Sequence, residues 1–154
     1  MAEFTTIFIP TDKSFVPSDQ TIEEAVSFLD GVYRGDYPIE TKTHSVPRFI
    51  DSGADFDRFS CPACKAVVKA YDYSDWWYTG PLQSIQNENQ LIKVPCCHAE
   101  LQFNQFDFGK HVGFAQFQIN VEYAGEDVAP NDQQLHQLEA ILGCSVRRIV
   151  YVMD

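Results

Sequence analysis

Cys61-Pro62-Ala63-Cys64 and Pro95-Cys96-Cys97-His98 hold the residue types in this chain best suited to chemistry. Four of the five cysteines in the 154-residue sequence fall in these two clusters. Cys-x-x-Cys presents two thiolates from one tight turn. A second pair brought alongside completes a tetrahedron, the geometry that Zn²⁺ takes from sulfur ligands at about 2.3 Å. The second pair departs from that spacing because Cys96 and Cys97 are adjacent. Neighbouring side chains of an extended strand point to opposite faces, so both reach one ion only from a turn, for which Pro95 is suited. The expected ligands are Cys61, Cys64, Cys96 and Cys97, with His98 as the substitute for one of the last two. Four protein ligands leave no open coordination position, so the expectation is one structural Zn²⁺ per chain and not a catalytic one. A redox dithiol shares the Cys-x-x-Cys spacing. Such a motif opens a helix within a βαβ pattern, whereas here it precedes Ala66-Val67-Val68.

The elements that must carry these clusters follow from hydrophobic periodicity. Thr5 to Ile9 is a β-branched and aromatic run that Pro10 ends, which predicts a strand. Thr21-Ile22-Glu23-Glu24 has the form of a capping box, with Ser18 as an alternative cap. Ile22, Ala25, Val26 and Leu29 then form one helical face, stopped by Gly31 and Gly35. Ser45 to Ile50 predicts an edge strand, since Pro47 cannot donate to a ladder. Leu91 to Val94 predicts a strand into the second cluster. From Val112 to Tyr123 the apolar residues Ala115, Phe117, Ile119, Val121 and Tyr123 alternate with Gln116, Gln118, Asn120 and Glu122, the period of a half-buried strand. Asn131 or Asp132 caps a second helix with Leu135, Leu138, Ile141 and Leu142 on its apolar face and Gly143 as its stop. Val146 to Val152 is a last strand. No internal repeat stands out. The order predicts an α+β fold of the split, ferredoxin-like βαββαβ plan, a sandwich with a zinc ribbon inserted between strands two and three. The chain reads as a single domain, 1–154, with 57–103 as the embedded zinc-ribbon module.

Composition narrows the partner classes. The formal charge is −11, with 45% hydrophobic and 14% aromatic residues, which describes a folded acidic protein. Nucleic-acid binding requires Lys and Arg to neutralise phosphates, and the ribbon offers only Arg58, Lys65, Lys69 and Lys93. No apolar run approaches the roughly 20 residues that span a bilayer, and Met1-Ala2-Glu3-Phe4 lacks the basic start of a secretory signal. Reduced, metal-bound cysteines fit the cytoplasm. An acidic surface suits a basic protein partner. Tyr71 to Tyr78 is the densest aromatic stretch and includes two acids. Its rings serve either as the core a small zinc module otherwise lacks or as a contact surface, with Asp72, Asp75, Trp76 and Trp77 as partner-binding candidates and Trp76 or Trp77 as the aromatic anchor, since on a strand one of the two adjacent rings faces outward.

Catalytic signatures are scarce. The sequence has no Gly-x-Ser-x-Gly, no phosphate-binding Gly-rich loop, no His-Glu-x-x-His and no dinucleotide fingerprint. His44, His98, His111 and His136 are scattered. Cys144 would need a spatially adjacent base to act as a nucleophile, and free cysteine is more often a small buried apolar residue.

Phe59-x-Cys61-Pro62-x-Cys64, the Trp76-Trp77 pair, Pro95-Cys96-Cys97, Gly113-Phe114-Ala115 and Leu138-Glu139-x-x-Leu142-Gly143-Cys144 together resemble a family of small, uncharacterised bacterial proteins with a CPxC…PCC zinc-ribbon-like insertion. His98 stands where glycine is expected. The resemblance covers most of the chain and implies zinc and this fold, but no reaction. Taken together, these features predict a non-enzymatic, acidic, zinc-stapled protein-binding module. By analogy with small acidic immunity proteins, its partner would be a basic toxin whose active site it blocks. Two other classes compete: a small enzyme with its site at the sheet–ribbon junction, and a regulatory zinc ribbon.

Overall fold

The computed structural model describes residues 3–53, 56–81, 88–109, 111–124 and 130–153. The chain forms β1 (Glu3–Pro10), α1 (Asp19–Val32) and β2 (Ile39–Ile50), then four three-residue strands: β3 (Arg58–Ser60), β4 (Val67–Lys69), β5 (Leu91–Lys93) and β6 (Glu100–Gln102). A 3-10 turn at Ala70–Tyr73 and the short α2 (Ser74–Thr79) follow β4, and a second 3-10 turn at Phe103–Gln105 follows β6. The chain ends with β7 (Gly113–Glu122), α3 (Asp132–Leu142) and β8 (Val146–Met153). The result is a mixed α/β fold with a mainly antiparallel main sheet of order β2-β7-β1-β8 and two separate hairpins, β3-β4 and β5-β6. No helix among the described residues is long and apolar enough to cross a membrane.

Local chemistry accounts for the helix ends. The hydroxyl of Ser18 accepts from the Thr21 N–H at 3.2 Å, so Ser18 and not Thr21 is the cap of α1, and Thr21 lies inside the helix. Asn131 and Gln134 form a reciprocal capping box on α3, at 2.8 and 2.9 Å, and Gly143 ends that helix in the left-handed conformation, φ 78°. Ala25 and Leu29 of α1 and Leu138 and Leu142 of α3 pack with Phe8, Phe117, Ile119 and Val121, so both helices cover the same sheet face.

β2 begins at Ile39, six residues before the predicted start at Ser45. Its first half alternates Glu, Thr and Lys, a pattern an exposed edge tolerates without a hydrophobic signal. Pro47 lies where β2 bulges: the register to β7 shifts between Thr43 and Arg48, so Pro47's missing N–H costs no ladder bond. The disturbance reaches β7. The Gln116 N–H bonds to the Lys13 carbonyl at 2.9 Å instead of to a strand. Ala115, expected on the same face as Phe117, therefore packs on the opposite face with Ile7, Ile9, Ile50 and Ile149. Gln118 and Asn120, expected to be the polar outer face, are 6% and 8% exposed, so that face is covered as well.

Phe117, 1% exposed, sits between the two helices and the sheet. Phe117→Ala should lower the stability of the folded chain by about 3–5 kcal/mol in denaturant unfolding. A loss below about 1 kcal/mol would show that the site is not a packed core position.

Candidate metal centre

The two hairpins are copies of one unit. β3 and β5, β4 and β6, and the two 3-10 turns follow each other at a constant offset along the chain. The turn between the strands has the same hydrogen bonds in each copy. In the first, the Cys61 N–H donates to the Ala66 carbonyl at 2.9 Å and the Lys65 N–H donates to the Cys61 carbonyl at 2.9 Å. In the second, the Val94 N–H donates to the Ala99 carbonyl at 3.0 Å and the His98 N–H donates to the Val94 carbonyl at 2.9 Å. Lys65 and His98 both take a left-handed backbone, φ 66° and 62°. That explains why glycine is expected at His98: a side chain is tolerated there only against a steric preference.

This equivalence explains the adjacent cysteines. Cys64 corresponds to Cys97 and Pro62 to Pro95, but Cys61 corresponds to Val94, and Cys96 takes the place of Ala63. The second turn has its first thiol displaced from the start of the turn to its middle. Val94 fills the vacated position with a fully buried apolar side chain in the hairpin core. The repeat is Cys-Pro-Ala-Cys-Lys-Ala against Val-Pro-Cys-Cys-His-Ala, too degenerate to stand out by identity. The shared Pro, Cys and Ala were the available signal.

The four sulfurs converge. Among the described residues, Cys61, Cys64, Cys96 and Cys97 offer ligand atoms that all lie within 4.8 Å of one another. Cys64 Sγ lies 3.4 Å from Cys96 Sγ, and Cys61 Sγ lies 3.9 Å from Cys97 Sγ. A regular tetrahedron with metal–sulfur bonds of about 2.3 Å has edges of about 3.8 Å. These two distances bracket that edge, so the cluster is suited to a single metal ion, and no disulfide is formed. His98 is exposed and the set closes without it, so the imidazole alternative is replaced by the four-thiol set.

Electrostatics agree with that occupant. Burial opposes ionisation of Cys61, but the backbone N–H groups of Cys64 and Ala63 and the thiols of Cys96 and Cys64 outweigh it and bring Cys61 down to about 7. Burial, then the neighbouring Cys64 and Cys61, push Cys96 up to about 12. Without a cation the cluster accepts one negative charge and resists a second. A bound dication reverses this, since a coordinating thiol is deprotonated outright.

The hairpins stand on an aromatic core. Phe49 of β2 and Phe114 of β7 meet Phe56, Phe59, Trp77, Phe103, Phe106 and Phe108. Phe49 and Phe103 lie edge to face at 5.0 Å, and Trp77 stacks on Phe103 at 6.1 Å. Trp77 is 1% exposed. Of the two candidate anchors it is therefore the core ring: Ser74–Thr79 is a helix and not a strand, and it turns Trp77 inward. Trp76 is half-buried, and its indole N–H donates to the Lys93 carbonyl at 2.9 Å. Asp72 and Asp75 are exposed, and Tyr73 between them is 39% exposed. The side chains of Tyr71 and Tyr78 lie outside the described residues. Cys144 is half-buried, and burial, Glu139 and Asp12 raise its pKa, which opposes a thiolate nucleophile. No family model, curated protein or solved structure matches the chain, so the site is read from its own geometry.

The purified chain should carry about one metal ion, released by acid or chelator as protons compete for the thiolates. Cys96→Ala should weaken metal retention at least about tenfold, as expected for a lost ligand. Restoring a thiol at the equivalent start of the turn, in Val94→Cys/Cys96→Ala, should recover it. Metal analysis and competition with a chromogenic chelator decide both. A Cys96→Ala chain that holds its metal unchanged refutes the four-thiol set.

Proposed function

We propose that the chain is a non-catalytic protein-binding module whose two hairpins are stapled by structural zinc. The observation that carries this reading is the closure of the site: four thiols from two turns, with all sulfurs within 4.8 Å, fill a tetrahedron and leave no position for substrate or water. Tetrahedral S₄ sets suit zinc or iron, and a closed set of four protein ligands is the arrangement structural zinc takes. The paired hairpins support the zinc-ribbon reading. The all-antiparallel order β2-β7-β1-β8, with β3 to β6 lying in sequence between β2 and β7, supports the ferredoxin-like plan with an insertion.

The partner is a basic protein. Net charge −11 favours it through long-range attraction. The contact edge is the ribbon's exposed stretch Asp72, Tyr73 and Asp75, with Trp76 half-exposed behind it. A toxin with a cationic active site is one partner with this chemistry. For the enzyme reading, two carboxylates among the described residues are perturbed: the hydrogen bond from Arg58 lowers the pKa of exposed Asp57, and burial raises that of Asp51. Asp51 lies in a groove of the main sheet and not at the sheet–ribbon junction.

Metal analysis of the native chain should return zinc and not iron. With a partner captured from the native host, association should slow as salt rises and should slow further in Asp72→Asn/Asp75→Asn, while Tyr73→Ala should cost about 2 kcal/mol of affinity if that ring is the anchor. Trp77→Ala should lower stability and leave the affinity of the remaining folded fraction intact. Binding that ignores salt, Asp72/Asp75 and Tyr73 together refutes this surface.

A further inference from the structure

The sheet face turned away from α1 and α3 carries a groove of about 380 Å³, a volume typical of small-molecule sites. Cross-strand register assembles its floor. Glu40 pairs with Asn120 and Asn120 with Ile7; Lys42 pairs with Gln118; Glu122 pairs with Thr5 and Thr5 with Tyr151. The chain leaving β2 forms one wall. β2 is at one edge of the sheet, yet Gly53 bridges Val152 of β8 at the other edge, and the Val152 N–H donates to the Ser52 carbonyl at 3.1 Å. Asp51–Gly53 is therefore a strap across this face. It requires glycine at 53, where φ is 62° and a Cβ would run into the Val152 carbonyl oxygen. The Asp51 carboxylate accepts from the Gly53 N–H at 3.3 Å and so faces the groove from a fixed strap.

A line of hydrogen bonds runs into the groove and stops. His44 Nε2 meets Gln118 Oε1 at 2.9 Å, and Gln118 Nε2 donates to Asn120 Oδ1 at 2.8 Å. Asn120 is 8% exposed and lines the groove, and its Nδ2 donor has no partner among the described residues. The same groove is lined by three carboxylates, Glu40, Asp51 and Glu122, against the single cation Lys42. Ile7, Ile50 and Tyr151 supply the apolar part of the lining.

We propose that this groove binds a small organic cation, a guanidinium or ammonium compound that also carries an amide oxygen. The oxygen accepts from Asn120 Nδ2, the cation lies among Glu40, Asp51 and Glu122, and the aliphatic link rests on Ile7 and Ile50. An amide of a basic amino acid has this chemistry. A free carboxylate in its place would meet three like charges for one ammonium, so amides bind and acids do not. The site is built from the main sheet and shares no residue with the four cysteines.

The test uses the metal-loaded chain and follows the side-chain amide NMR resonances of Asn120 and Gln118 during titration with N-acetyl-L-argininamide up to about 10 mM, which reaches millimolar affinity. Saturable shifts of both resonances are expected, with none from N-acetylglycinamide or from the anionic amide of N-acetylglutamate. Asn120→Leu should weaken binding about three- to tenfold, the range for one lost hydrogen bond. Glu40→Gln/Glu122→Gln changes only partly or fully exposed strand positions and should weaken it about two- to fivefold, which keeps the test decisive if Asn120→Leu does not fold. A glycine-flanked arginine peptide that fails to match the free amide assigns the site to a free small molecule; equal binding assigns it to a basic residue of either source. Unmoved Asn120 and Gln118 resonances, equal response to the neutral or anionic amide, or binding unchanged in both variants overturns the proposal.

Discussion

The convergence of four thiols on one point is the constraint on which the inserted half of the molecule depends. β3-β4 and β5-β6 are two-stranded hairpins of three residues a strand, and such hairpins are marginal alone. Among the described residues, their strands make no ladder with the main sheet, and one isolated bridge, Ser60 to Asp107, ties β3 to the segment that returns to β7. Each hairpin contributes two sulfurs to the cluster, so a metal ion there cross-links turns that are distant in sequence. The ion also removes the charge problem of the cluster, in which one thiol near 7 coexists with another near 12.

The second support is the aromatic core beneath the turns. It is not private to the hairpins. Phe49 and Phe114, from neighbouring positions on β2 and β7, enter the same cluster as Trp77, Phe103 and Phe108. Edge-to-face and tilted ring pairs at 4.9–6.4 Å dominate it, and such pairs add about 0.5–1.5 kcal/mol each beyond the area they bury. The hairpins are thus docked on the end of the main sheet through rings, and their turns bring four thiols within reach of one metal ion.

The bulge between Thr43 and Arg48 shapes the remaining part. By shifting the register it turns Phe49 toward the hairpins and leaves Ile50 over the opposite sheet face, where the strap to Gly53 begins. One irregularity in an edge strand therefore places both the docking ring of the aromatic core and the wall of the groove. It also explains why a face that polar alternation marks as solvent-facing holds nearly buried Gln118 and Asn120.

Sequence by itself determined the features that depend on neighbours a few residues apart. The cap and stop of α3, the alternative cap of α1, the strand cores of β1, β7 and β8, and the cysteines of the two turns were legible because periodicity, capping chemistry and Cys-x-x-Cys spacing act locally, whereas Thr21 and Gly31, read as cap and stop of α1, lie inside that helix. Tertiary structure alone decided the rest. Trp76 and Trp77 have the same local signature, and only the helix of Ser74–Thr79 and its docking on Phe103 make one half-buried and the other core. Cys96 and Val94 trade roles because the backbone of the second turn copies the first, an equivalence carried by hydrogen bonds and not by residue identity. Ala115 changed faces because β7 is irregular at Gln116, whose N–H bonds to the distant Lys13 carbonyl. In each case the deciding contact joins residues far apart in the chain, and a pattern read along the chain carries no information about which distant surface will cover it.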